Sequence, residues 1–236
     1  MYTVAILAGG LATRLGSLTQ SIPKSLIEIA GKPFITHQLD CLREQGIRSV
    51  VICIGHLGGM IEEVIGNGLN WDIDVKYSID GPELLGTGGA IKKALPMLGD
   101  DFFILYGDSY LPVSFNDVKN AYKLSQKKGL MTVLKNENKW DRSNVEFVNG
   151  QIIKYNKFAS NARMNYIDYG LGLLSASTME SYAIEGPFDL SDVYDFLSVS
   201  GNLAGYEVFD RFYEIGSPQG IIDTQNYIQK IKEKGM

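Results

Sequence analysis

Apolar residues in this chain fall into short runs and helical stripes, and the two alternate. Thr3 to Ala8 is an apolar run that breaks into Gly9-Gly10, and Leu26 to Ala30 is a shorter one closed by Gly31. From Pro33 the spacing becomes helical, with Ile35, Leu39 and Leu42 on one face and Gly46 as the stop. Ser49 to Ile54 (SVVICI) is apolar almost throughout, the pattern of a strand buried on both faces. A short helix over Met60 to Ile65 and an alternating strand over Ile73 to Ser78 come next. The order βαβαβ, with right-handed crossovers, predicts a mainly parallel sheet covered on both sides.

The pattern continues beyond Gly81. Thr87 is the expected N-cap of a helix carrying Ile91, Ala94, Leu95 and Leu98. Asp101 to Tyr106 (DFFILY) is the most strongly apolar strand and runs into Gly107-Asp108-Ser109. Val118, Ala121, Tyr122 and Ser125 mark a helix, and Leu130 to Leu134 a strand. From Asn138 the texture turns polar and aromatic. Asn149-Gly150 joins two β-type runs, Asn144 to Val148 and Gln151 to Tyr155, as a tight hairpin. A strand over Tyr166 to Leu174 follows a loop with Lys157 and Arg163, then a helix over Leu190 to Val199. Strands are expected at Asn202 to Phe209 and Arg211 to Ile215. Ser217 can cap, and Pro218 open, the last helix.

Composition narrows the function classes. With 236 residues, 45% hydrophobic and 21% charged, the chain suits one large domain and gives no sign of disorder. The net charge of −5 excludes non-specific nucleic-acid binding, although a local cationic pocket remains open to nucleotides. Cys41 and Cys53 lie in apolar periodic segments and read as reduced core residues. Neither a signal peptide nor a transmembrane run is recognisable, so the expected location is the cytoplasm. Oligomeric state is not written in the sequence.

The stretch Leu7 to Ser25 (LAGGLATRLGSLTQSIPKS) carries the first candidate chemistry. A strand ending in a glycine pair offers backbone N–H groups to an anion, and Arg14 and Lys24 add fixed positive charge. An ordinary βα turn with two solvated cations is the alternative. Neither a Walker loop nor a dinucleotide fingerprint is present: Lys24 follows Pro23, and Ala12 and Leu15 stand where glycines would be needed. A helix opening in Thr87-Gly88-Gly89 would bring further N–H groups near a ligand, or simply be capped. Asp108, after a buried strand, either caps a turn or stands where open α/β sheets bind ligands. A carboxylate meets a phosphate only through a cation, and Mg²⁺ is the usual bridge; Glu214 is a candidate second ligand. Such a site suits phosphoryl or nucleotidyl transfer. His37 and His56 are the only histidines, and no serine sits in a nucleophile elbow, which fits an already ionised nucleophile.

LAGGLATRL, PKSLIEIAGKPFI, GTGGAI, YGD and EIGSP, in this order from about Val4 to about Gln225, resemble the sugar-1-phosphate nucleotidyltransferases. The resemblance implies a Rossmann-like three-layer α/β nucleotidyltransferase fold with a mainly parallel sheet and a small β-rich sugar-binding subdomain. It implies one domain over 1–236, with a nucleotide-binding half (1–135), a sugar-binding part (136–216) and a C-terminal helix (217–236). The reaction it implies joins a nucleoside triphosphate and a sugar 1-phosphate into a nucleotide sugar and pyrophosphate, with Mg²⁺. Leu7, Ala8, Gly9 and Gly10 would line the nucleotide. Arg14 would hold the β- and γ-phosphates, Lys24 the α-phosphate, and Thr87, Gly88 and Gly89 the base and ribose. Asp108 and Glu214 would bind the metal. Asn144, Glu146, Lys157, Asp168 and Gly170, with Tyr169 between them, would contact the sugar phosphate. The chain departs from the family at Ala12 (for glycine), Glu214 (for aspartate), Ser217 (for threonine) and Asp168 (for asparagine), and no acidic residue precedes Lys157. Its short form looks most like heptose-1-phosphate guanylyltransferases, then N-acetylmuramate-1-phosphate uridylyltransferases. Transfer to a non-sugar phosphate, or a silent nucleotide-sugar-binding module, are the alternatives.

Overall fold

A computed structural model describes residues 2–10, 21–158, 161–182, 184 and 186–234. The first half holds strands β1 (Thr3–Leu7), β2 (Glu28–Ile29), β3 (Lys32–Pro33), β4 (Ser49–Ile54), β5 (Asp74–Ile79), β6 (Asp101–Tyr106), β7 (Ser109–Tyr110) and β8 (Gly129–Lys135). Between them lie helices α1 (Phe34–Glu44), α2 (Gly58–Ile65), α3 (Gly86–Leu98) and α4 (Phe115–Ser125). The second half holds β9 (Val145–Val148), β10 (Gln151–Tyr155), β11 (Tyr166–Ser175), β12 (Leu203–Val208) and β13 (Tyr213–Glu214), with α5 (Ala176–Ser181), α6 (Leu190–Val199) and α7 (Pro218–Glu233).

Nine strands form one sheet in the order β5-β4-β1-β6-β11-β8-β12-β10-β9. The run β5-β4-β1-β6 is parallel, with Val4 beside Val50 and Phe103. β11 enters antiparallel to both β6 and β8, and β12 is parallel to β8. The β9–β10 hairpin extends this sheet, and Asn149 and Gly150 both take positive φ at its turn, as the Asn-Gly pair predicts.

Alternation along the strands builds two cores. Val4, Ile6, Val50 and Ile52 face Ile35 and Leu39 of α1 and Ile61 of α2; Ala5, Val51 and Phe102 face Ile91 of α3 and Val193 of α6. Helices therefore cover both faces, the three-layer arrangement expected when central strands are apolar throughout. A third cluster, Ile29, Phe34, Ile215 and Ile228, seats α7 against β2 and α1. Ser217 caps α7, its Oγ accepting from the Gly220 N–H at 3.0 Å, as its place before Pro218 predicts.

Several expectations need correction. Thr87 is not an N-cap: α3 already begins at Gly86, and the Thr87 hydroxyl oxygen accepts from the Leu190 N–H at 2.8 Å. The Arg211 to Ile215 strand shrinks to two residues, Tyr213 and Glu214, which stand in register with Tyr110 and Ser109 of β7. The short α5 has no apolar periodicity to announce it. Cys53 is buried as expected, but Cys41 is partly exposed.

Candidate active site

The parallel register brings Leu7 beside Cys53 and Tyr106, so β1, β4 and β6 end together. Their loops share one edge of the sheet, where open α/β folds bind ligands. A cavity of about 220 Å³ opens there, lined among others by Gly9, Gly10, Lys24, Asp80, Thr87 and Asp108. Leu7, Ala8 and Gly107 also line it. Close approach explains two of its glycines. A β-carbon on Gly107 would sit 2.8 Å from the Leu7 carbonyl oxygen, and one on Gly9 3.1 Å from the Gly55 nitrogen.

Lys24 follows Pro23 in a single 3-10 turn, and its Nζ lies 3.0 Å from Asp108 Oδ2. Asp108 Oδ1 accepts from the Ser109 hydroxyl at 3.3 Å. The turn bearing Asp108 is held from below by buried Gln38 of α1. Its Nε2 donates to the carbonyls of Tyr106 and Ser109 at 2.9 and 2.8 Å. Glu214 arrives on β13 opposite Ser109, and the Ile215 N–H donates to the Asp108 carbonyl at 2.9 Å. A β-carbon on Gly216 would lie 2.9 Å from Glu214 Oε2 and 3.4 Å from both Asp108 Oδ2 and Lys24 Nζ. Two carboxylates and one ammonium thus converge on Gly216. The Glu214 carboxylate is meanwhile turned onto the start of α7, accepting from the Gly216 N–H and, at 2.6 Å, from the Ser217 hydroxyl. A helix N-terminus favours a carboxylate there.

Gly88 and Gly89 stand back from the cavity. Both N–H groups donate to the Phe188 carbonyl, at 3.0 and 3.3 Å, and neither residue lines the cavity. Gly88 is small because the Phe188 ring packs on it. Arg14 and Ala12 lie outside the described residues.

The residues expected on the sugar side gather around the end of β11. Asn144 Oδ1 accepts from the Asp168 N–H at 3.0 Å, and Asp168 Oδ1 accepts from the Gly170 N–H at 3.0 Å. Burial raises the Asp168 carboxyl to a pKa of about 6, against the opposing pull of the Gly170 N–H and the Lys157 ammonium. Its charge in turn adds to the burial that raises the Tyr106, Tyr155 and Tyr194 hydroxyls. Lys157 Nζ lies 2.6 Å from Asp189 Oδ2. Burial works against the Asp189 carboxylate, but Lys157 and the Ser191 N–H outweigh it and hold its pKa below the usual range. Glu146, nearly buried, has Arg163 Nε at 3.5 Å from its Oε1.

Three residues of this edge escaped the sequence reading. Asp80 follows β5 as Asp108 follows β6, so the same strand-end rule could have found it. Asp189 caps α6 and supplies the acidic partner that the residue before Lys157 does not; a capping aspartate before an apolar helix was the available signal. Gln38 had none.

A family model described as nucleotidyl transferase matches residues 3–143. The chain belongs to the nucleotidyl transferase family. The resemblance read from the sequence is borne out. This nucleotidyltransferase is 29% identical over 218 residues to the D-glycero-alpha-D-manno-heptose 1-phosphate guanylyltransferase of Campylobacter jejuni, covering 91% of this chain and 94% of that one. It is 27% identical to the catalytic subunit beta of mannose-1-phosphate guanylyltransferase from Xenopus tropicalis, covering 97% of this chain but 65% of the longer relative. In fold it matches HddC from Yersinia pseudotuberculosis, solved with GMP-PN, at a TM-score of 0.80 and 24% identity, over 97% of this chain and 100% of the other. A putative glucose-1-phosphate thymidylyltransferase from Bacillus anthracis, in complex with a sucrose, superposes at a TM-score of 0.84 and 17% identity, over 95% of this chain and 94% of that one. These likenesses bear out the Rossmann-like α/β fold. Among the described residues no helix is long and apolar enough to cross a membrane.

Proposed function

We propose that this nucleotidyltransferase moves a nucleoside monophosphate, preferentially GMP from GTP, onto a sugar 1-phosphate and releases pyrophosphate. The observation that carries the reading is the meeting of Lys24, Asp108 and Glu214 around Gly216, at the mouth of a cavity floored by the Gly9-Gly10 backbone. An oxygen of the sugar phosphate attacks the α-phosphorus, and the bond to the β-phosphate oxygen breaks. The attacking group is ionised at neutral pH, so no base is required. The position of buried His37, whose Nε2 lies 2.7 Å from the Ile29 carbonyl, supports that reading. Lys24 faces the phosphorus under attack, and Arg14 takes the leaving pyrophosphate. Fixed cations of this kind do most of the work in phosphoryl transfer.

Asp108 and Glu214, whose carboxylates both approach Gly216, supply hard oxygen donors that would hold a Mg²⁺ ion. Bound there, the ion neutralises phosphate charge. Residues 1–135 take the triphosphate and 136–216 the sugar phosphate, through Asn144, Glu146, Lys157, Asp168 and Gly170. The reading keeps the cytoplasm as the expected location. The names of the relatives support guanine as the base and a heptose or mannose 1-phosphate as the acceptor.

A matrix of nucleoside triphosphates against sugar 1-phosphates, read by pyrophosphate release, tests this. Pyrophosphate is expected only with both substrates and Mg²⁺ present, most from GTP with a heptose or mannose 1-phosphate. Thermal stabilisation by GTP, with no turnover anywhere in the matrix, would replace the reading with a silent binding module.

A further inference from the structure

β13, the strand that brings Glu214 to the site, is only two residues long. Its ladder is Tyr213 opposite Tyr110 and Glu214 opposite Ser109, too little to fix a strand by itself. Side chains do the holding. The Tyr213 ring stacks on Tyr227 of α7, with centroids 3.9 Å apart and planes 17° from parallel. The guanidinium carbon of Arg211 lies 4.8 Å from the centre of the Tyr213 ring and 3.9 Å from that of Trp140. Its Nη2 donates to Asp223 Oδ2 on α7 at 3.1 Å, and its Nε to the Phe212 carbonyl at 3.3 Å. Trp140 belongs to the turn between β8 and β9, which is braced from within. The Trp140 N–H donates to Asn136 Oδ1 at 3.0 Å and the Ser143 N–H to Asn138 Oδ1 at 2.8 Å. One guanidinium therefore joins β13 to α7 and to the start of the acceptor half. Tyr227 also meets Tyr110 of β7 edge-on at 6.0 Å, two residues past Asp108. Arg211, Tyr213, Tyr227 and Trp140 all stand outside the cavity lining.

We infer that Arg211 is a positioning residue for Glu214, acting through Tyr213 and without touching substrate. This rests on the reading of Glu214 as a Mg²⁺ ligand. Glutamate has one more rotatable bond than aspartate, so the place of its carboxylate depends more on how firmly the main chain behind it is held. Here that carboxylate accepts from the Gly216 N–H and the Ser217 hydroxyl, both at the start of α7, so a slip of β13 against α7 would move it. Three side-chain ties cross that seam: the Thr224 hydroxyl on the Glu214 carbonyl at 2.8 Å, the Tyr213–Tyr227 stack and the Arg211–Asp223 pair. Of the three, the Arg211 tie reaches on to Trp140. Arginine suits the post because its flat face lies against rings while its edge N–H groups reach a carboxylate and a carbonyl. A lysine could keep only the charge.

Arg211→Lys in the full chain tests the assignment, with two measurements against Mg²⁺ concentration. One is turnover at saturating GTP and sugar 1-phosphate; the other is the rise in Tm that Mg²⁺ adds to the GTP-bound chain, which needs no turnover. Half-saturating Mg²⁺ should increase about threefold to tenfold by both, the worth of a cation–π contact, while KM for GTP and for the sugar 1-phosphate hold. Trp140→Leu removes a ring of the stack from outside the site and carries the same test should the lysine variant not fold. A Mg²⁺ dependence equal to the parent's overturns the inference, and so does a rise in KM for the sugar 1-phosphate with the Mg²⁺ dependence unmoved. Glu214→Ala separates the two readings. If it shifts the Mg²⁺ dependence and Arg211→Lys does not, the inference alone falls; if Glu214→Ala keeps the parent's dependence, the metal reading falls and takes the inference with it.

Discussion

The two halves of the active-site edge are organised in opposite ways. On the side proposed for the triphosphate the polar groups line one cavity: the Gly9-Gly10 backbone, the Lys24–Asp108 pair and the half-satisfied Asp80. On the acceptor side they face one another. Asn144 holds the Asp168 N–H, Asp168 holds the Gly170 N–H, Lys157 is paired with Asp189, and Arg163 reaches Glu146. The first half is preorganised for a ligand, and the second is preorganised for itself. If the sugar phosphate binds there, as proposed, it exchanges internal partners for its own oxygens. On that reading affinity for the acceptor depends on how easily those pairs open, and the triphosphate must likewise draw Lys24 from Asp108.

The contrast can be broken at several points. Asp108→Asn should lower kcat by on the order of a hundredfold to a thousandfold, as loss of one preorganised charged group does, with an unchanged circular-dichroism spectrum. Activity near that of the parent would remove Asp108 from the chemistry. Lys157→Met should act on the acceptor alone, raising KM for the sugar 1-phosphate about tenfold while KM for GTP holds. A comparable rise for GTP would show that the two halves are not separable.

Asp168→Asn has the smallest expected effect, and it is on stability. Its raised pKa means the folded chain prefers the protonated carboxyl, so the native state loses stability as pH rises from the unfolded value near 3.8 to about 6. The neutral amide should therefore stabilise the protein by about 1–2 kcal/mol at pH 8, a few degrees in Tm. The gain should vanish by pH 4. A gain that persists at pH 4 would point to packing and not to charge.

Most of the architecture was legible because the central strands are apolar at nearly every position and the helices carry regular stripes. SVVICI and DFFILY announce themselves as β4 and β6 with their observed limits, and Leu190–Val199 as α6. Where stripes were absent, as in α5, or where pairing needed a distant partner, as in β13, local pattern had nothing to offer. The candidate site divides along the same line. Asp108 and the first glycine pair follow strand ends and line the cavity, whereas Lys24 reaches it from a 3-10 turn. Glycine in the first turn of a helix signals close packing as readily as ligand approach, and beside Gly88 and Gly89 the neighbour is Phe188. Asp189 lies 32 residues beyond Lys157 in the chain. Only the packing of α6 on the sheet brings them together.

Gln38 has a consequence for how this protein tolerates change. Both of its amide hydrogens go to the turn that presents Asp108, and its Oε1 is buried without a partner among the described residues. An orphaned acceptor of this kind costs roughly 1–3 kcal/mol. A leucine there would remove that penalty and suit the apolar stripe of α1. It would also leave two carbonyls at the Asp108 turn unbraced. Two orphaned carbonyls cost more than the one acceptor relieved, so apolar variants at this position should be both less stable and poorer catalysts, through a helix that does not line the cavity.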